Sequence, residues 1–152
     1  MRLALFQPDI PQNLGSAIRL SACFGAPLEV IEPCGFPLSD KSLKRAALDY
    51  GPKAIILRHD GWSDFLAHPA RREGRLVLFT TRGATPLDQT EFQPGDTLLF
   101  GRESAGVPDE VHERADLRLI IPIRPETRSL NLATACAVGL WEALRQTGGL
   151  MT

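Results

Sequence analysis

Short apolar runs alternate with amphipathic stretches along the chain. Leu3-Ala4-Leu5-Phe6 reads as a buried strand. Gln12 to Phe24 then places Leu14, Ala17, Ile18 and Ala22 on one side of a helix, and Gly25 supplies its stop. Leu28 to Ile31 is a second strand, and Ser39 to Tyr50 an amphipathic, basic helix ended by Gly51-Pro52. Ile55-Ile56-Leu57 is a third strand, followed by a short helix from Trp62 to Ala67 that ends at His68-Pro69. Leu76 to Thr80, Thr97 to Phe100 and Leu117 to Ile123 complete the strands, with Pro108 opening a short helix before the last of them. Leu130 to Gln146 forms a long final helix before Gly148-Gly149. Strands alternating with helices predict an α/β fold, a parallel sheet with helices on both faces. No linker or repeat divides residues 1–152, so a single domain is expected.

The final helix departs from the pattern. Leu132, Ala133, Ala135, Cys136, Ala137, Val138, Leu140, Trp141 and Ala143 distribute apolar and small side chains nearly all round it. Such a helix needs cover on every side, and one sheet covers one. A second copy of the chain is the economical cover, which predicts a homodimer with this helix in the interface. The alternative is a helix wholly inside the monomer.

Composition narrows the class. The chain of 152 residues is 43% hydrophobic, near the globular average, which excludes a wholly disordered protein. No apolar run approaches the roughly 18 residues of a membrane span, and the start reaches Gln7-Pro8-Asp9 too soon for a signal peptide. A soluble cytoplasmic protein with no membrane partner is expected. Cys23, Cys34 and Cys136 are odd in number and scattered, and His59, His68 and His112 form no metal-spaced pair, so no metal site is expected.

Net charge is −1, yet 14 of the 17 cations are arginine, the side chain suited to gripping phosphate. Lys41, Lys44, Arg45, Lys53 and Arg58 face Asp49 alone between residues 41 and 58. Glu103, Asp109, Glu110, Glu113 and Asp116 cluster further on around Arg114. One basic and one acidic edge can coexist on such a surface, as can ordinary solvated helix faces.

Gly-x-Gly-x-x-Gly, Gly-Lys-Ser/Thr and Gly-x-Ser-x-Gly signatures are absent, which removes the main support for dinucleotide, P-loop and Ser-hydrolase readings. Three other segments carry polar residues where a fold needs plain turns. Pro8-Asp9-Ile10-Pro11-Gln12-Asn13-Leu14-Gly15-Ser16-Ala17-Ile18-Arg19 joins a strand end to a helix start, where open α/β sheets bind ligands. Leu99-Phe100-Gly101-Arg102-Glu103-Ser104-Ala105-Gly106-Val107-Pro108 ends a strand in a turn whose glycines allow close approach. Ile120-Ile121-Pro122-Ile123-Arg124-Pro125-Glu126-Thr127-Arg128-Ser129-Leu130-Asn131-Leu132 places Ser129 to cap the final helix.

In order and spacing these three segments resemble the signature motifs of the SPOUT superfamily of RNA methyltransferases, in its TrmH-like branch. Ile31-Glu32-Pro33, Arg45-Ala46-Ala47-Leu48-Asp49-Tyr50 and Arg128-Ser129-Leu130-Asn131-Leu132 are similar to the small TrmL-like group. That resemblance implies S-adenosyl-L-methionine as cofactor, tRNA as partner, and methylation of the ribose 2′-hydroxyl of the wobble cytidine or uridine of leucine tRNAs. Another tRNA or rRNA position, or a catalytically silent RNA-binding dimer, stays open. It also implies a C-terminal deep trefoil knot, which general topology rules disfavour, and dimer packing through the first and last helices. By position, Phe79, Gly101, Glu103, Ile121, Ser129 and Leu130 would hold the cofactor, and Arg19, Asn13 and Asn131 would serve catalysis. Arg19 stays protonated, so its implied role is to stabilise an incipient alkoxide or grip a phosphate, with Arg128 a second phosphate contact. Trp141 stands where the group carries a tyrosine, so no hydroxyl is available there.

Overall fold

The computed structural model describes residues 1–83 and 85–151. Its strands are β1 (Arg2–Phe6), β2 (Leu28–Ile31), β3 (Ile56–His59), β4 (Leu76–Phe79), β5 (Thr85–Pro86), β6 (Thr97–Phe100) and β7 (Leu117–Ile120). All pair in parallel, in the order β3-β2-β1-β6-β4-β7-β5. The helices are α1 (Pro11–Phe24), α2 (Asp40–Ala47), α3 (Trp62–Ala67), α4 (Asp109–Arg114) and α5 (Leu132–Thr147).

Successive strand side chains point to opposite faces, and here they sort into two cores. Leu3, Leu5, Leu28, Val30, Val77, Phe79, Leu98 and Phe100 meet α1, α2 and α5 on one face. Ala4, Phe6, Ile31, Leu76, Leu78 and Leu99 meet α3 and α4 on the other through Phe65 and Val111. The second face also buries Glu29, which accepts from Arg71 and lies 2.7 Å from His59 Nε2. Pairing with cations is what makes a buried carboxylate tolerable.

Several boundaries differ from the sequence expectation for local reasons. Ser39 caps α2, accepting from Ser42 N–H at 3.1 Å while the Ser42 hydroxyl accepts from Ser39 N–H at 2.8 Å. The helix stops at Ala47 instead of Tyr50, and a 3-10 stretch covers Leu48–Lys53. In an α-helix the Pro52 ring would clash with the carbonyl four residues back, that of Leu48, where φ turns to 47°. β7 ends at Ile120 instead of Ile123, because Pro122 has no N–H for a ladder, and residues 122–131 run exposed. α5 starts at Leu132, and its cap is Asn131 instead of Ser129: Asn131 Oδ1 accepts from Thr134 N–H at 3.2 Å. The two-residue β5 was not anticipated.

The final helix has two unlike faces. Cys136, Leu140 and Ala143 are fully buried, whereas Val138 and Trp141 keep 38% and 47% of their surface exposed. That overturns the alternative of a helix enclosed within the monomer. Its buried face seats on two aromatic rings through Gly139, where a Cβ would stand 2.7 Å from Phe79 Cζ and 3.3 Å from Phe100 Cζ.

Gly139→Val should therefore overpack this contact and cost about 2–3 kcal/mol in urea unfolding. Unchanged stability would show that α5 does not lie this close to the sheet.

Candidate functional site

β2 and β3 extend the sheet on one side of β1, while β6 flanks it on the other. The crevice beyond the carboxyl ends of β1 and β6 is thus a topological switch point, the place where open α/β sheets bind ligands. A cleft of about 880 Å³ opens there, large enough for a nucleoside-sized molecule. Phe79 and Phe100 form its floor, stacked with centroids 4.6 Å apart and planes at 18°. One wall is the turn after β6, in which Arg102 and Gly106 exchange both main-chain hydrogen bonds at 2.9 Å. Gly101 permits that closure, since a Cβ there would lie 2.7 Å from the Gly106 carbonyl carbon. The exposed segment after β7 forms the opposite wall.

One hydrogen-bonded chain joins all three segments. Asp9 N–H donates to Glu103 Oε2 at 2.7 Å, and Asn13 Nδ2 donates to Glu103 Oε1 at 3.2 Å. Asn13 Oδ1 in turn accepts from Asn131 Nδ2 at 3.0 Å. Asn131 Oδ1 receives the Thr134 N–H of the helix it caps. Asn13 is buried, so both ends of its carboxamide are committed and its orientation is fixed. A second tie reinforces the first, with Ser104 N–H donating to Asp9 Oδ2 at 3.0 Å.

Asn13, Phe79, Gly101, Glu103, Ile121, Ser129, Leu130 and Asn131 all line this single cleft, and Arg128 lines it too. Arg19 does not lie among them. Six residues along a helix turn the side chain through about 600°, so Asn13 and Arg19 leave α1 about 120° apart and about 9 Å along its axis. Arg19 is exposed, donates to the Tyr50 hydroxyl at 2.9 Å and stacks over its ring at 4.6 Å. Trp141 sits on the exposed face of α5, away from the cleft lining.

Sequence reasoning missed Thr80, Thr81, Arg82 and His112, which also line the cleft. The first three follow the carboxyl end of β4, so the rule that pointed to the other strand ends applies to them equally. His112 had no such signal, since it was weighed as a metal ligand. Burial, then the positive charges of Arg82 and Arg118, pulls its pKa below the ordinary histidine value, which favours the neutral ring. Among the described residues no group of three or more His, Cys, Asp or Glu side chains is placed to hold a metal.

The SpoU rRNA Methylase family model matches residues 1–141. A tRNA (cytidine(34)-2′-O)-methyltransferase of Beijerinckia indica is 51% identical over 148 residues, 97% of this chain and 92% of that protein. One from Ancylobacter novellus is 49% identical over 149 residues, 98% and 94% of the two chains. A structure solved for insight into the 2-OH methylation of C/U34 on tRNA superposes with TM-score 0.89 at 47% identity, over 98% of this chain and 97% of that one. The SpoU methyltransferase AviRb of Streptomyces viridochromogenes, solved in complex with AdoMet, superposes with TM-score 0.85 at 27% identity, over 96% of this chain and 60% of that one.

Asn13→Ala should strand Glu103 Oε1 and Asn131 Nδ2 without their partner and cost about 1–3 kcal/mol in denaturant unfolding. Asn13→Asp should cost more at neutral pH and recover on acidification, because two facing carboxylates raise one another's pKa. Equal stability of both variants at every pH would remove the relay. For His112, Arg82→Gln withdraws a nearby positive charge, so its ring-proton NMR titration should shift to higher pH. A shift downward would overturn the assigned cause.

Proposed function

The chain belongs to the SpoU rRNA Methylase family, and we propose that its cleft performs S-adenosylmethionine-dependent 2′-O-methylation of the wobble cytidine or uridine of tRNA. The observation that carries this reading is the relay from Glu103 through Asn13 to Asn131, which gathers three distant segments around one cleft. Relatives about half identical over nearly the whole chain bear the same activity in their names. AviRb holds AdoMet on the same fold.

The residues present fit that cofactor. The aromatic floor of Phe79 and Phe100 offers an apolar bed, and the exposed backbone around Ile121, Ser129 and Leu130 offers hydrogen-bonding groups at its edge. When bound, S-adenosylmethionine supplies a methyl group already activated on a sulfonium. The protein's work is alignment, and holding two reactants in line supplies several kcal/mol of the barrier. Asn131 projects into the cleft with its amide held by Asn13 and its carbonyl by the α5 amide, so it presents a fixed edge to the nucleotide. Gly101 keeps the wall thin, and Glu103 braces it without a free carboxylate oxygen. Arg128, on the rim, supplies charge for a phosphate. Arg19 stabilises the alkoxide forming on the 2′-oxygen or grips the adjoining phosphate. A guanidinium stays protonated and takes no proton itself, so solvent or a phosphate of the RNA takes the proton the 2′-hydroxyl loses.

Arg19 reaches this role through a second copy of the chain. α1 and α5 lie side by side on one face of the sheet, with Ser16, Arg19 and Cys23 exposed on one and Thr134, Val138 and Trp141 on the other. Pairing two copies through these stripes covers the apolar surface of α5 and gives Arg19 a route to the partner cleft that its own helix denies it. Trp141 then packs in the interface. The trefoil knot is supported by the position of β7, which lies between β4 and β5, both earlier in the chain, with Thr80 N–H donating to Leu119 O at 2.9 Å. Leucine tRNAs as substrates, and the cytoplasm as the site of action, complete the reading.

Purified protein should transfer labelled methyl from S-adenosylmethionine to tRNA from a strain lacking the modification. The product should map to the ribose of the wobble nucleotide. Arg19→Ala should abolish turnover while calorimetry shows cofactor affinity within about twofold of the parent. A folded protein that binds cofactor yet labels no tRNA would overturn the assignment.

A further inference from the structure

A net charge of −1 conceals a division between the two faces of the sheet. α4, on one face, exposes Asp109, Glu110 and Glu113, with Asp116 just beyond it. α2, on the other, exposes Lys41, Lys44 and Arg45, with Lys53 at the end of the 3-10 stretch that follows. The chain has three lysines, and all three lie here.

Several cations elsewhere are spoken for: Arg2 and Arg71 by Glu29, Arg75 by Asp96, Arg82 by Asp109, Arg145 by Glu142. Asp40, the acidic neighbour on α2, turns to Arg58 at 3.4 Å, and Glu32 holds the same guanidinium at 3.1 Å. Among the described side chains, Lys41, Lys44 and Lys53 have no carboxylate within ion-pair distance. Residues i, i+3 and i+4 share one helix face, so Lys41, Lys44 and Arg45 form one strip that no described carboxylate neutralises.

The strip adjoins Arg19. α2 packs on α1 at Gly15, where a Cβ would stand 3.2 Å from the Ala46 carbonyl oxygen. Gly15 leaves α1 about 200° round from Asn13 and about 40° from Arg19, so α2 packs on the side of α1 that carries Arg19. One turn further, Arg19 rests on Tyr50, which lies between α2 and Lys53 in sequence. Positive charge therefore continues from Arg19 along α2.

We propose that the exposed face of α2 binds the sugar-phosphate backbone flanking the nucleotide in the cleft, with Lys41, Lys44, Arg45 and Lys53 each neutralising a phosphate. The inference rests on the reading of the cleft as a tRNA methylation site. Its basis is charge complementarity to a polyanion at a surface continuous with Arg19, the guanidinium that pairing of two copies brings to the partner cleft. The acidic α4 face, on the far side of the sheet, turns the basic side toward the RNA.

The test is the triple variant Lys41→Ala, Lys44→Ala, Arg45→Ala in the full chain. These exposed positions leave the core intact, which thermal unfolding checks. At about 0.1 M salt the KM for tRNA should rise at least tenfold, with kcat at saturating tRNA and cofactor affinity within about twofold of the parent. The slope of log affinity for tRNA against log salt, measured without cofactor, should fall by about 2–3. Saturating tRNA should also protect Lys41, Lys44 and Lys53 from amine acylation, and an acidic polypeptide of equal charge should not. An unchanged slope with unprotected lysines would overturn the surface, whether or not methyl transfer is observed. Equal protection by the acidic polypeptide would overturn RNA as its partner. Failure of the parent to methylate tRNA, with the slope change intact, would instead overturn the reading of the cleft.

Discussion

Glu103 is the point on which the site turns. Its two carboxylate oxygens receive the Asp9 N–H and the Asn13 carboxamide, and through Asn13 the bond continues to Asn131. The partners are separated in sequence by 94, 90 and 118 residues respectively, so these bonds bring near-opposite ends of the chain together. Asn13 is buried and Glu103 half-buried, so each would carry an unmet desolvation cost if its neighbour were lost. The arrangement therefore acts as a unit. It holds the wall after β6 against the start of α1 and fixes the first turn of α5, and the cleft is the space these three elements enclose.

The same economy shows in how Asn131 is used. A helix leaves its first amides without partners, and a capping side chain normally satisfies one of them. Asn131 does this with its carbonyl and still has an amide to give to Asn13. The identity of the cap thus couples a local helix signal to the geometry of the cleft.

Much of this was legible in the sequence. Leu28–Ile31, Trp62–Ala67 and Thr97–Phe100 have the bounds their apolar runs announce, because buried strands and short helices between strong breakers leave little choice of register. What escaped depended on contacts beyond the window. Periodicity carried α2 through to Tyr50, but Pro52 acts four residues back and breaks it at Leu48. The apolar run to Ile123 looked like strand, yet Pro122 frees that segment to become cleft wall. Every cofactor candidate lies in the cleft because the strand-end rule and the family resemblance point to the same loops. Arg19 does not, because a motif read as a line of letters conceals that six residues of helix turn it aside. His112 was passed over because its significance lies in where α4 sets it, beside Arg82, and not in any spacing.

The placement of β7 carries a consequence for how the protein comes into being. This strand enters the sheet between β4 and β5, both synthesised earlier, and the wall that follows it is anchored by Asn131 near the end of the chain. Nascent polypeptide on a ribosome exposes β1, β2 and β3 well before β7 and α5. It has no complete cleft until the last helix is free of the exit tunnel. The enzyme's competence thus waits on the emergence of α5, and a chain cut before Asn131 would lack the relay that closes its binding site.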